Sequence, residues 1–308
     1  MHDVDKAAPQ LPPELEREIC ELAGWNDDET MRTLICVARR FYEWLEPLRY
    51  RVVSLSSAED DLFMSHFLGL FPESAAGLPG PPPSSLPQPD RSSQVRHLAL
   101  SSQMARSTVE HILRTTTNVT DLAIWTGDTY PELLEAMQPL TQLRHLSVNL
   151  SELLWNVDDV AAPSAAKFRP FAQLTHLDIF GHMPLSAQMI PILGMLPALT
   201  HLALTDMWDP PFIWKTLAEC GERLRVLVVL WTDREEVDPG VPDEFASDGE
   251  RADEIGDPRF CAVYCSQFED DWRRGAWGER DFWAMAEERL RWRAVKRQRK
   301  LEGNLRSA

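Results

Sequence analysis

Histidine recurs at one place in a six-residue pattern of this 308-residue chain. The pattern is read in Val95–Leu100, Val119–Ile124, Leu143–Val148, Leu174–Ile179, Leu199–Leu204 and Leu224–Val229. Its third position holds His97, Asp121, His145, His176, His201 and Val226. Its fifth holds Ala99, Ala123, Ser147, Asp178, Ala203 and Val228, and one step past the pattern stand Ser101, Trp125, Asn149, Phe180, Thr205 and Leu230. If successive copies are neighbouring strands ~4.8 Å apart, His145, His176 and His201 form an imidazole ladder. Imidazole is a good metal ligand, but a residue repeated on rung after rung suits the rung, not one ion, so no metal site is expected. Aromatic side chains anchor interfaces. His97, Asp121, Trp125, His145, Asn149, His176, Asp178, Phe180 and His201 are therefore the candidates for gripping a substrate or partner. Cys261 and Cys265 have no second ligand pair nearby for zinc. The sequence has no Gly-x-x-x-x-Gly-Lys-Ser/Thr, Gly-x-Gly-x-x-Gly, Gly-x-Ser-x-Gly or His-Glu-x-x-His. No catalytic residues and no cofactor are expected, and the chain reads as a non-enzyme.

The elements that must position this strip follow from the same pattern. Apolar residues alternate within each copy, so each is a short strand with one buried side. The central leucines fall at 98, 122, 146, 177, 202 and 227, giving intervals of 24, 24, 31, 25 and 25. Helix signals lie between copies. Ser107 can cap a segment with Val109, Ile112 and Leu113. Asp128 or Thr129 precedes Pro131, Leu133, Leu134 and Met137. Ser186 leads into Met189, Ile190, Leu193 and Leu196. Asp209 precedes Pro210 and Pro211, and Gly221 is placed to end that helix. The longest interval implies an insertion near Trp155–Phe168.

A strand and a helix every ~25 residues over 95–230 resembles the leucine-rich repeats. One unit cannot bury its own apolar side, so stability comes from stacking. The resemblance implies an α/β solenoid, strands concave and helices convex. The position that often holds Asn or Cys reads Gln103, Gly127, Ser151, His182, Met207 and Thr232 here, so the array is expected to be irregular. Arg51–Leu55 reads as a further strand able to start the array, and Arg259–Tyr264 as one able to end it.

The block 10–55 differs from the repeats. Leu11, Leu15, Ile19, Leu22 and Ala23 follow helical spacing behind Pro12 and Pro13. A second stretch runs from Met31 through Leu34, Ile35, Val37, Ala38, Phe41, Trp44 and Leu45 to Leu48, where Pro47 disturbs its end. Leu11, Pro12, Glu14, Leu15, Ile19, Leu34, Val37, Arg40 and Trp44 give this block a resemblance to an F-box; Ala38 stands where Cys is common. The resemblance implies docking of a Skp-type adaptor, joined to a cullin scaffold, through Leu11, Pro12, Leu15, Ile19, Leu34, Val37, Arg40 and Trp44. The chain would then be the substrate receptor of a Skp-cullin-F-box ubiquitin ligase, holding an unknown protein substrate on the repeats. The alternative is an interaction scaffold with no ubiquitin role, whose N-terminal helices only cap the solenoid.

The remaining segments are a Pro-rich linker over 56–94, with seven prolines in 72–89, an acidic loop over 231–257, and 258–308 as a far cap with a basic helix. In that cap Asp281 is placed to start a helix, and Trp272, Trp277, Trp283 and Trp292 read as packing residues. With 31 basic and 48 acidic residues the formal charge is −17, which disfavours nucleic acid and anionic membranes as partners. The absence of a long apolar run or an N-terminal apolar leader, with five scattered cysteines, leads to the expectation of a cytoplasmic or nuclear protein.

Overall fold

The computed structural model describes residues 11–26, 28–55, 91–100, 104–126, 129–154, 169–181, 186–232 and 248–307. The Pro-rich segment 72–89, the proposed insertion Trp155–Phe168, most of the acidic stretch, and Gln103, Gly127, Asp128 and His182 lie outside these residues.

The architecture is mixed α/β. One eight-stranded sheet runs in strict chain order with every neighbouring pair parallel. Its strands are β1 (Val52–Leu55), β2 (His97–Leu100), β3 (Asp121–Ile124), β4 (His145–Val148), β5 (His176–Ile179), β6 (His201–Thr205), β7 (Val226–Trp231) and β8 (Phe260–Tyr264). The register pairs Leu98 with Leu122, Leu122 with Leu146, Leu146 with Leu177, Leu177 with Leu202 and Leu202 with Leu227. The file continues to Val53 at one end and Phe260 at the other, and all eight residues are buried. The 31-residue interval between Leu146 and Leu177 does not disturb the register.

Threonine supports the stacking locally. Thr120, Thr175 and Thr200 precede the third pattern position. Their hydroxyls donate to the carbonyls of Arg96, Arg144 and Thr175 on the previous rung at 3.1, 3.1 and 3.2 Å. The backbone amides of each threonine and of the residue after it donate to the same carbonyl, so each strand start is tied three times.

The helices between rungs pack on the leucine side. They are α4 (Arg106–Thr115), α5 (Leu133–Ala136), α6 (Leu150–Leu153), α7 (Ser186–Met195), α8 (Pro210–Cys220) and α9 (Asp248–Ile255). Asp209 caps α8 by accepting from the Phe212 amide at 3.1 Å, Pro210 and Pro211 open it, and Gly221 follows it with φ +58°, as expected. Ser107 does not cap α4: the helix starts one residue earlier, with extended Ala105 as its N-cap and no side-chain cap. Asn149 caps α6, its Oδ1 accepting from the Glu152 amide.

The N-terminal block forms α1 (Pro13–Asn26), α2 (Asp28–Val37) and α3 (Arg39–Leu45). The second apolar stretch is therefore broken, with Ala38 extended at φ −154°, ψ 151°. Alanine is the best helix former, so tertiary packing imposes the break. It lets Met31 from α2 and Phe41 and Leu45 from α3 meet Cys20 of α1 in a small separate core.

The C-terminal segment does more than end the stack. β8 adds the last rung, but α10 (Phe268–Ala276) and α11 (Phe282–Ser307) fold back over the sheet face opposite the leucine file. A second core results, in which Ala203, Val226, Val228, Leu230, Cys261 and Val263 meet Phe282, Ala286, Trp283 and Leu290. The expected far-cap tryptophans Trp272 and Trp283 thus lie on the strip face.

Candidate functional site

The strip residues stand where the parallel register puts them. His145 and His176 have ring centroids 4.2 Å apart, and His176 and His201 stack at 4.0 Å and 12°. Thr175 and Thr200 hydroxyls sit 2.9 and 2.8 Å from the Nδ1 atoms of His176 and His201. Trp283 of α11 abuts both rings edge-on, at 5.1 and 5.9 Å. Burial, reinforced by the neighbouring His145 and His201, drives the His176 pKa down to about 2. It is a neutral, stacked ring. Among the described residues no group of three His, Cys, Asp or Glu could hold a metal ion.

Two carboxylates organise the rest. Asp121 accepts from the Trp272 indole at 3.0 Å through Oδ1, and its Oδ2 lies 3.3 Å from His97 Nδ1 and 3.8 Å from His145 Nδ1. Asp178 accepts from Ser147 and Thr205 hydroxyls, both at 2.6 Å. Ser147 in turn accepts from the Trp125 indole at 2.9 Å, giving a chain Trp125–Ser147–Asp178–Thr205 across four rungs. Burial raises the Asp178 pKa against the lowering effect of those two hydroxyls. Trp125 packs edge-on against Phe268 at 5.1 Å and Trp272 at 5.8 Å, so α10 supplies the opposite wall.

Sheet and C-terminal helices enclose a cleft of about 570 Å³. His97, Asp121, Trp125, His145, His176, Asp178 and Phe180 line it, as the pattern grouped them. Two expectations need correction. Asn149 turns away to cap α6, and its side chain fills the space that a Cβ on Gly181 would need; Gly181 itself has φ +84°. His201 is buried and sits 3.2 Å from Glu287 of α11, so it is not an open contact residue.

The sequence reading missed the helical wall, formed by Phe268, Trp272 and Trp283 with the corner carboxylates Asp271 and Asp281. A clue was present. Phe268 and Trp272 are four apart, on one side of a short helix whose other side is charged. Asp271 is fully buried and accepts from the Phe282 amide at 2.8 Å and from Arg274 at 2.9 Å, joining α10 to α11. Gly275 permits this corner, since a Cβ there would come within 2.7 Å of Asp281 Oδ2. Asp281 caps α11 through the Ala284 amide at 2.9 Å, as expected.

The residues assigned to adaptor docking fall into two groups. Leu11, Pro12, Leu15, Ile19, Val37 and Arg40 are exposed, whereas Leu34 and Trp44 are half-buried against the Met31–Leu45 core. Arg40 pairs with Glu16 at 2.7 Å, which ties α3 to α1. At the far end of α1, the Trp25 indole donates to the Trp277 carbonyl and the two rings meet at 4.7 Å. Among the described residues no helix is long and apolar enough to cross a membrane. No family model matches the chain, and no curated protein matches it by sequence.

Proposed function

We propose that the chain is an irregular leucine-rich-repeat protein with an F-box-like N-terminal block. It would serve as the substrate receptor of a Skp-cullin-F-box type ubiquitin ligase. One observation carries this reading. Leu15, Ile19 and Leu22 form one apolar stripe on α1, with Leu11 just before it, and these residues and Val37 are 48 to 62% exposed. Helices that served only to cap the array would turn such residues inward, because covering the open end is what a cap does. An exposed, contiguous apolar stripe on a helix suits docking into a partner's groove.

In this role the protein breaks no bonds. It raises the effective concentration of a bound substrate near a charged ubiquitin-conjugating enzyme. The block 13–45 is small, and Trp25 on Trp277 with Arg51 over the Trp25 ring at 4.4 Å holds it against the end of α10 and the start of β1. That support would fix the orientation of substrate relative to adaptor.

The test is co-purification of the full chain with a Skp-type adaptor. The expected result is a stoichiometric complex, lost when Leu11, Leu15 and Ile19 are changed together to Asp while the thermal melting point is kept. An unchanged complex in that variant, or no complex with the native chain, would contradict the receptor reading and favour the scaffold without a ubiquitin role.

A further inference from the structure

The cleft between sheet and C-terminal helices has a composition that neither stacking nor capping requires. Its volume of about 570 Å³ falls in the range of small-molecule sites, ~300–1,000 Å³. Aromatic rings from both sides wall it, with Trp125 and Phe180 from the sheet and Trp272 and Trp283 from the helices. Among the described lining residues there is no lysine or arginine, while Asp121, Asp178 and Asp206 all reach it. Among the described residues none of these three carboxylates pairs with a lysine or arginine. Asp121 has two imidazoles and an indole, Asp178 has two hydroxyls, and Asp206 accepts from the Thr232 amide at 2.7 Å and from its hydroxyl. The other two lining carboxylates are engaged at the helix corner. Asp271 meets Arg274 and the Phe282 amide, and Asp281 meets the Ala284 amide.

Grouped acids of one sign without a countercharge focus a negative potential into a low-dielectric recess. Aromatic faces attract cations as well. An anionic ligand would meet these aspartates and, among the described lining residues, no lysine or arginine. We propose that this cleft binds a small organic cation, an ammonium or guanidinium head carried on an apolar body. The head would settle near Asp121 and Asp178 and the body against the tryptophans. Such a head could come from a free amine or from a lysine or arginine side chain presented by a peptide. The inference rests on the cleft alone and not on the adaptor role, which the α1 variants test separately.

Trp125, Trp272 and Trp283 make the site its own reporter. The experiment titrates the full chain with benzyltrimethylammonium, its uncharged isostere neopentylbenzene, and benzenesulfonate, following tryptophan fluorescence and binding heat. Parallel arms use acetyl-Gly-Lys-Gly-amide and acetyl-Gly-Arg-Gly-amide. The ammonium is expected to bind at least about tenfold more tightly than the isostere, the scale of a desolvated cation–π contact, and the sulfonate not at all. Asp121→Asn keeps an acceptor for the Trp272 indole and is expected to remove most of that preference while leaving the isostere unaffected. Tighter binding of a peptide than of the free ammonium would assign the head to a side chain; the reverse order would assign it to a free amine. Equal binding of ammonium and isostere to the native chain, or preference for the sulfonate, would overturn the proposal without touching the adaptor reading.

Discussion

Two amphipathic helical segments flank the sheet, and they use their apolar sides in opposite ways. At the C-terminus Phe268, Trp272, Phe282, Trp283 and Leu290 lie against the strip face of the sheet or its cleft. At the N-terminus Leu15, Ile19 and Leu22 point to solvent although their helix is on average less polar than either C-terminal helix. The difference is not one of hydrophobicity. It lies in what the corner chemistry permits. Asp271, Gly275 and Asp281 lock α10 to α11 at an angle that brings both onto the sheet. In the N-terminal block the residues directed inward, Cys20, Met31, Phe41 and Leu45, close a core of its own, and the stripe of α1 is left over.

Substitutions on the two sides should therefore differ sharply. Phe282→Ala empties a buried ring position between α11 and the strands. It is expected to cost about 3 to 5 kcal/mol and to expose the strip, read by denaturant unfolding and by increased protection loss of β6 and β7 in hydrogen exchange. Leu202→Ala in the leucine file should cost about 2 to 5 kcal/mol. A comparable loss from His145→Ala would contradict the assignment of the two sheet faces. Asp271→Ala leaves the Phe282 amide without its acceptor and should cost about 1 to 3 kcal/mol, with α10 and α11 separating before the sheet melts.

A pH effect sharpens the contrast further. His176 is neutral in the fold, with its pKa at about 2, against an ordinary value of 6.5 that the unfolded chain recovers. Below about 6.5 the unfolded state binds the extra proton, so stability falls with acidification, by up to about 1.4 kcal/mol per pH unit. His201, lowered chiefly by burial, acts in the same sense. Asp178 acts oppositely: its raised value means that its burial costs stability above its ordinary value and that protonation relieves the cost. Melting from pH 7 to 5 should therefore show a smaller decline for His176→Phe than for the native chain. The smallest effect is expected on α1, where Leu15→Ala should change stability by no more than about 0.5 kcal/mol, as for other surface positions.

The repeat was legible because its signal is local and periodic. Alternation placed Leu98 to Leu227 in file, and Asp209 with Pro210, Pro211 and Gly221 marked both ends of α8. The identity of most strip residues followed, since register carries each third position next to the last. What covered the strip did not follow. A short helix with Phe268 and Trp272 on one side reads the same whether it closes the end of a stack or crosses its face, and only long-range packing decides. Asn149 was misplaced for a related reason: an Asn one step past a strand can serve a partner or cap the next helix, and the one-turn α6 was not visible in the pattern. The break at Ala38 leaves no trace in composition, because neither proline nor glycine makes it.

The proposed adaptor role requires the exposed stripe of α1 to be covered by another protein, whereas the C-terminal helices already bury theirs on the sheet. Hydrogen exchange of the full chain with and without a Skp-type adaptor tests this most directly. New protection is expected over residues 11–37, which hold α1 and α2, and none over α10 and α11. Protection arising on the C-terminal helices, or no change along α1 at saturating adaptor, would contradict it.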